Sequence, residues 1–246
     1  MNQNVTSATI VALGVALAGL AAGAGFARGR ATDRYVEVKG VAERDVSADL
    51  ALWPLRVTAV GNDLIAAEAR IAQNTAQVYA FLRRHGIDTA QADLQGLDVT
   101  DAFANPYGGP RPPQARYILS RTIMVRSEHV DVVLTASASV GELVAAGVVL
   151  SGNRTGFEPS GPTFLFTKLN ELKPVMLKEA VASAREAADQ FAADSRSELG
   201  GIRQASQGVF VILPRDQAPG ITEPRQVLKT VRVVSTVQYY LKGGTP

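Results

Sequence analysis

Every Lys, Arg, Asp and Glu of this 246-residue chain lies after Ala27. No other feature restricts the fold as much, because it divides the chain into two physically different parts. The apolar run from Ala8 to Phe26 is rich in Ala, Gly, Leu and Val. Its length matches the ~20 residues that cross a bilayer as a helix. Residues 1–34 therefore read as a membrane anchor or signal segment with a basic flank, residues 8–27 being the part expected in the lipid bilayer. Residues 35–246 read as one separate folded domain.

A secretory signal combines a basic start, a 7–15-residue apolar stretch and small residues at the cleavage point. Ala22-Gly-Ala24 supplies the small residues, but Met1–Ser7 holds no Lys or Arg and the apolar run is long. Those two departures favour an uncleaved single-span anchor over a cleaved signal. Arg28, Arg30 and Arg34 follow the span, with only Asp33 among them. By the positive-inside rule alone, they would leave the large domain in the cytoplasm. Gly19 and Gly23 have the small-xxx-small spacing of helix pairing, which arises easily in a segment so rich in Ala and Gly.

The 212 residues after position 34 are enough to bury a real core. The 25 basic and 23 acidic side chains nearly cancel, leaving a net charge of +2. No basic run is interleaved with aromatics, so nucleic acid is not the expected partner. Cysteine is absent, which excludes disulfides, thiolate chemistry and sulfur-ligated metals together.

Tyr35–Gly40 alternates and predicts a short strand ending at Gly40. Val46–Val60 predicts a longer strand, apolar on both faces, in which Pro54 demands a bulge or an edge position because it has no N–H to donate. Asn62 or Asp63 is positioned to cap a helix carrying Leu64, Ile71, Val78, Phe81 and Leu82, with Arg83, Arg84 and His85 at its end and Gly86 as its stop. Strands are predicted at Asp93–Thr100 and Tyr117–Ser127, separated by a loop over residues 101–115 that contains four prolines. A second helix runs from Ser127 to about Gly147 with a break near Gly141. Short strands follow at Val148–Glu158 and Gly161–Lys168. The longest helix spans Leu169–Leu199, with its regular part expected from Pro174 and a narrow face of Ala180, Ala184, Ala187, Ala188 and Ala192. Gly200-Gly201 reads as its stop. Strands at Gln204–Leu213 and Gln226–Lys242 flank a second proline-rich loop, Pro214–Arg225. Strand pairs alternating with three helices predict an α+β fold on a largely antiparallel sheet.

Candidates for chemistry are few. His85 ends a helix and His129 starts one, and neither has a partner at metal-ligand spacing. Glu43, Asp45 and Asp49 are the densest acidic group and could hold a divalent cation, the alternative being ordinary carboxylates in and near a turn. Trp53, the only tryptophan, sits among leucines and reads as core, the alternative being the wall of a ligand pocket. Phe103 and Tyr107, with the prolines of the 101–115 loop, are better placed to bind a partner or are a hairpin tip. Asn4-Val-Thr6 and Asn153-Arg-Thr155 match the glycosylation acceptor pattern and carry no weight in a chain of bacterial type. No nucleophile elbow, phosphate-binding loop or dinucleotide fingerprint is present. The residues thus nominate no catalytic, cofactor or metal site.

Three stretches resemble the SIMPL-domain family. Val36–Leu52 resembles its opening, where a strand ending in Gly is followed by an acidic turn and then by an Asp, here Asp49, leading an apolar strand. Leu177–Ala188 with Leu199-Gly-Gly201 resembles its late Ala-rich helix and Leu-Gly stop, and Val231–Leu241 its closing strand. The family pattern often has Pro where this chain has Ala48, and Trp53-Pro54 is a further departure. The resemblance implies an α+β fold, a bacterial envelope setting with an export signal or anchor, a periplasmic domain, and subunits of larger assemblies. It also implies links to envelope and oxidative stress, with no defined catalytic residues. The resulting expectation is a non-enzymatic, inner-membrane-anchored envelope protein acting by protein-protein contact as a homo-oligomer or with an envelope partner. The alternative is a small-ligand or lipid-binding envelope module.

Overall fold

The computed structural model describes residues 13–24, 34–104, 115–151 and 161–243. The expectations placed on Asn4, Arg28, Arg30, Asp33, Tyr107 and Asn153 lie outside these residues. Residues 13–24 form a helix, α1, on which nothing lies within 4 Å of the place a Cβ would take at Gly19 or Gly23. Among the described residues no helix is long and apolar enough to cross a membrane. The fold is α+β, and the chain divides into two compact units. One comprises Met1–Glu43, Pro174–Phe210 and Arg232–Pro246, and the other Arg44–Lys173 and Val211–Val231.

In the second unit, β2 (Leu50–Gly61) pairs antiparallel with β4 (Tyr117–Ser127), unbroken from Ala51–Ser127 to Gly61–Tyr117. Here β3 (Ala92–Asp101) lies on the far side of β4, with a bulge between Leu94 and Leu97. The other edge of β2 carries two short strands. Of these, β6 (Thr163–Leu165) pairs with Leu50–Leu52, and β5 (Val149–Leu150) pairs with Val57 and Thr58. Trp53, Leu55, Val57 and Ala59 alternate into a core shared with Leu119, Ile123 and Val125 of β4.

Helix α2 (Leu64–Arg84) covers that core with Ile71, Val78, Phe81 and Leu82, all fully buried, whereas Leu64 stays 43 % exposed at its first turn. The choice of cap is settled: Asp63 Oδ1 accepts from the Ala66 N–H at 2.7 Å, and Asn62 Oδ1 accepts from the Arg116 N–H at 3.0 Å. The second predicted helix is broken as expected, into α3 (Val130–Ala138) and α4 (Gly141–Ala145).

The first unit is built on β1 (Tyr35–Ser47), β9 (Leu228–Lys242), β7 (Glu198–Gln207) and α5 (Leu169–Asp194), with β1, β9 and α5 each extending into the residues of the other unit. The sheet order is β1-β9-β7, and β8 (Val211–Pro214) also pairs with β9. The strand expected to stop at Gly40 runs on to Ser47, so Glu43 and Asp45 lie in β1 and not in a turn. Gly40 has a different task. A Cβ there would sit 1.8 Å from the carbonyl oxygen of Ala180 and 2.4 Å from the Ala184 nitrogen. It lets the strand lie directly against the backbone of α5. Met176, Ala180, Ala184, Ala188 and Ala192 recur every fourth residue, one helical stripe, and are buried. Their small size is what permits the approach.

The predicted start of α5 at Leu169 holds, but its regular part does not wait for Pro174 and its end moves. The helix starts at Leu169, so Pro174 lies inside it and leaves the Asn170 carbonyl without its helical donor. It stops at Asp194, before Gly200-Gly201. The N–H of Ser197 reaches the Ala192 carbonyl at 2.8 Å and that of Arg196 reaches Ala193 at 3.0 Å. These bonds satisfy two free carbonyls in the motif that normally places Gly in the left-handed region. The same pair of bonds ends α2 at Gly86 (φ +78°) and α4 at Gly147 (φ +85°), whereas here Arg196 takes φ +50°. Gly200-Gly201 instead form a bulge of β7, which pairs Leu199 with Leu241 and then Ile202 with Tyr239. A Cβ on Gly200 would stand 2.9 Å from the Tyr240 carbonyl oxygen. The single strand expected over Gln204–Leu213 is likewise two, parted at Gly208, where a Cβ would meet the Val234 oxygen at 2.6 Å.

Candidate functional site: a cleft at the interrupted edge of β2

Pro54 explains a concavity of the second unit. The Ser151 N–H donates to the Arg56 carbonyl at 2.9 Å, so the peptide groups of residue 56 face the β5–β6 edge. Peptide groups two residues apart along a strand face the same edge. Pro54 therefore turns its carbonyl, and the place of its missing N–H, toward that edge. There is no bulge against β4. Instead residues 53–56 fall between the segment paired by β6 and the segment paired by β5.

A cleft of about 450 Å³ opens at this gap. Trp53, Leu55 and Phe164, each 2–3 % exposed, form its floor. Leu134 of α3, Val140 and Leu150 complete the apolar wall. Arg56 and Arg225 supply the charge at the rim, and no acidic side chain is among the described residues that line it. The volume falls in the ~300–1,000 Å³ range of small-molecule sites. Trp53 is thus core and pocket wall at once, packing edge-on against Phe81 at 6.4 Å between ring centroids.

Arg56 also borders a smaller polar hollow of about 210 Å³. There Thr58 Oγ1 lies 2.8 Å from Ser151 Oγ and 3.4 Å from Ser120 Oγ, and the Arg56 guanidinium reaches Asp98 at 3.4 Å. Asp98 is 75 % exposed, so this ion pair is weak and leaves Arg56 able to take another anion.

Arg225 is held by an unusual support. It ends a short 3-10 turn, Glu223–Arg225. The turn is pinned by Lys229, whose side chain is fully buried and whose ammonium donates to the Glu223 carboxylate and, at 2.7 Å, to the Glu223 carbonyl. Lys229 was not legible as a site residue, although its period-2 phase with Val231 and Val233 puts it on the buried face of β9. Arg225 has no ion-pair partner among the described residues. Neither Arg56 nor Arg225 carries a sequence signal, because lone arginines beside strands are common.

The residues that sequence patterning nominated do not converge. His85 caps the end of α2, its ring 4.4 Å from that of Phe81 and Nε2 3.3 Å from Glu142, while His129 is an exposed N-cap of α3. Glu43 pairs with Arg232 at 3.1 Å, Asp45 accepts from Thr230 Oγ1 at 2.7 Å, and Asp49 accepts from the Thr167 N–H at 2.8 Å and its hydroxyl at 3.0 Å. Each carboxylate has its own partner, and among the described residues no His, Asp and Glu cluster could hold a metal ion. Phe103 is 60 % exposed at the base of the proline-rich loop. That base is tied by Asp101, which accepts from Arg116 Nε at 3.1 Å and from the Phe103 N–H at 3.0 Å. The Arg116 hydrogen bond holds the Asp101 carboxyl below the usual carboxylate range.

The profile of the SIMPL family, described as a protein of unknown function (DUF541), matches residues 36–239. A comparison with curated proteins finds none that matches. The matched stretch runs from β1 to the end of the buried face of β9 and so takes in both units. The chain therefore belongs to the SIMPL family.

Proposed function

We propose that this chain is a non-enzymatic cell-envelope protein, held at the bacterial inner membrane by its first 34 residues, whose periplasmic domain acts through contact with further copies of itself or an envelope partner, in envelope or oxidative stress. The observation that carries the contact is the edge strand β3. Leu94 and Val99 lie opposite Ile123 and Leu119 of β4, both fully buried, and Leu97 opposite the half-buried Arg121, yet Leu94, Leu97 and Val99 are 48 %, 36 % and 51 % exposed. An apolar strand edge left open is a template for another chain. The charge-free start supports anchoring, and family membership supports the periplasmic side against the pull of the flanking arginines. Carboxyl-terminal fusions test the placement: strong alkaline phosphatase activity is expected, and bright cytoplasmic green fluorescent protein would refute it. Crosslinking followed by sizing tests the contact. The wild type is expected to give discrete oligomers that Leu97→Lys with Val99→Lys abolishes, and a monomeric wild type would refute it.

A second reading is a small-ligand or lipid-binding envelope module, and the cleft at Trp53 favours it. Stabilisation of the purified full chain in a thermal-shift screen of envelope metabolites is its test, and stabilisation by none counts against it.

A further inference from the structure

We infer that the β2 cleft binds the monocarboxylate of a free fatty acid, its chain lying against Leu134, Val140 and Leu150 above Trp53 and its carboxylate meeting Arg225 and an Arg56 guanidinium that turns from Asp98, across β4, toward the cleft. This rests on the ligand-binding reading above and adds the chemistry of the ligand. The division of the cleft sets the polarity of what enters. Its floor is apolar and covered, Leu134 on its wall is apolar and 47 % exposed, and at the rim Arg225 is exposed and the Arg56 side chain is 31 % exposed. A guest must therefore present an apolar body inward and negative charge outward. The absence of a carboxylate from the described lining makes the rim cationic, and an anion there meets no like-charge repulsion. Arg56 already shares its charge with Asp98, so about one negative charge is the match, which argues against a polyphosphate or a nucleotide.

A peptide fits less well. A guest strand needs alternating donors and acceptors from the open edge, and Pro54 removes the donor at the centre of a gap four residues long. A flexible acyl chain asks nothing of the backbone. Two guanidinium groups suit a planar carboxylate, to which each can present paired N–H donors.

Trp53, being the only tryptophan, makes the test specific to this cleft. The full chain is reconstituted in phosphatidylcholine vesicles and titrated with 12-bromododecanoate, whose heavy atom quenches an indole on contact. The expected result is saturable quenching, with 12-bromododecan-1-ol at least 10-fold weaker and the half-saturation for the acid raised at least 10-fold in R225Q and in R56Q. Arg225 is exposed and outside the core, so R225Q keeps the fold if R56Q does not, and circular dichroism checks both. Saturable quenching of equal strength by acid and alcohol, unchanged in R225Q, would overturn the carboxylate inference while leaving an apolar ligand site. Quenching by neither, or only a non-saturating rise with vesicle loading, would overturn this inference and the ligand-binding reading together.

Discussion

Breaking the Lys229–Glu223 pair from its two ends is expected to give unequal results. Lys229 is fully buried, and Glu223 is 28 % exposed. In Glu223→Gln the ammonium keeps the residue 223 carbonyl but loses its counter-charge while its own side chain stays fully buried. Removing one partner of a buried pair costs ~3–5 kcal/mol. The retained carbonyl and the part-exposed carboxylate place this case near the lower end, at about 3 kcal/mol. In Lys229→Met the buried charge goes too, an unbranched apolar chain lies in phase with Val231 and Val233, and Glu223 turns to solvent. That variant is expected within ~1 kcal/mol of wild type, because apolar replacement of buried pairs is often neutral. The double variant should resemble Lys229→Met, giving a coupling of about 2 kcal/mol or more. At ~2–4 °C per kcal/mol for a chain of this size, Glu223→Gln lowers the melting temperature by ~6–12 °C. Trp53 reports the transition: it is 2 % exposed and lies in the same unit as Lys229. A cost of under ~1 kcal/mol for Glu223→Gln, or a double variant equal to the sum of the singles, would refute the argument that the charge is trapped in a dry site.

Gly40→Ala is expected to cost about 3 kcal/mol or more, because the atoms it meets at 1.8 and 2.4 Å are backbone and α5 must move off the sheet; helix loss in urea followed at 222 nm checks it. Gly141→Ala, with nothing within 4 Å, is the control and should be neutral or stabilising. Arg196→Gly relieves the positive φ that ends α5 and should stabilise by about 0.5–1 kcal/mol in the same assay; a loss of stability would show that the Arg side chain matters more than the backbone. The Asp101 carboxyl is held low in the folded chain, so its contribution is complete above the ordinary carboxylate pKa and is lost only as pH falls through the lower folded value. Carboxyl carbon shifts read by NMR should show Asp101 titrating below an ordinary aspartate and Arg116→Gln moving it upward.

The alternation of strand pairs and helices was legible because each element repeats one local period. Tyr117–Ser127 is delimited from the sequence to the residue, the α2 cap was narrowed to Asn62 or Asp63, Gly86 read directly as the stop, and the Ala stripe of α5 announced a close approach. The boundaries misplaced at glycines share one cause. Gly40, Gly200 and Gly201 looked like punctuation, since Gly most often ends an element for conformational reasons. Gly40 and Gly200 instead make room for the backbone at Ala180 and Tyr240, a need created by chain 40–140 residues away. The true end of α5 was invisible because an arginine occupies the position that glycine usually fills.

The charge-free start, the α+β class and the family are written in the order of residues, each being a property of short segments or of their succession. So is the inability of residue 54 to donate to a ladder. What that missing donor does emerges only when the strands assemble. Two short strands distant in sequence from Pro54 pair on either side of it, and the gap between them is the cleft. Arg56, Arg225 and the buried Lys229–Glu223 pair acquire their roles from that same assembly. Burial and convergence depend on which chains meet, and no local pattern encodes them.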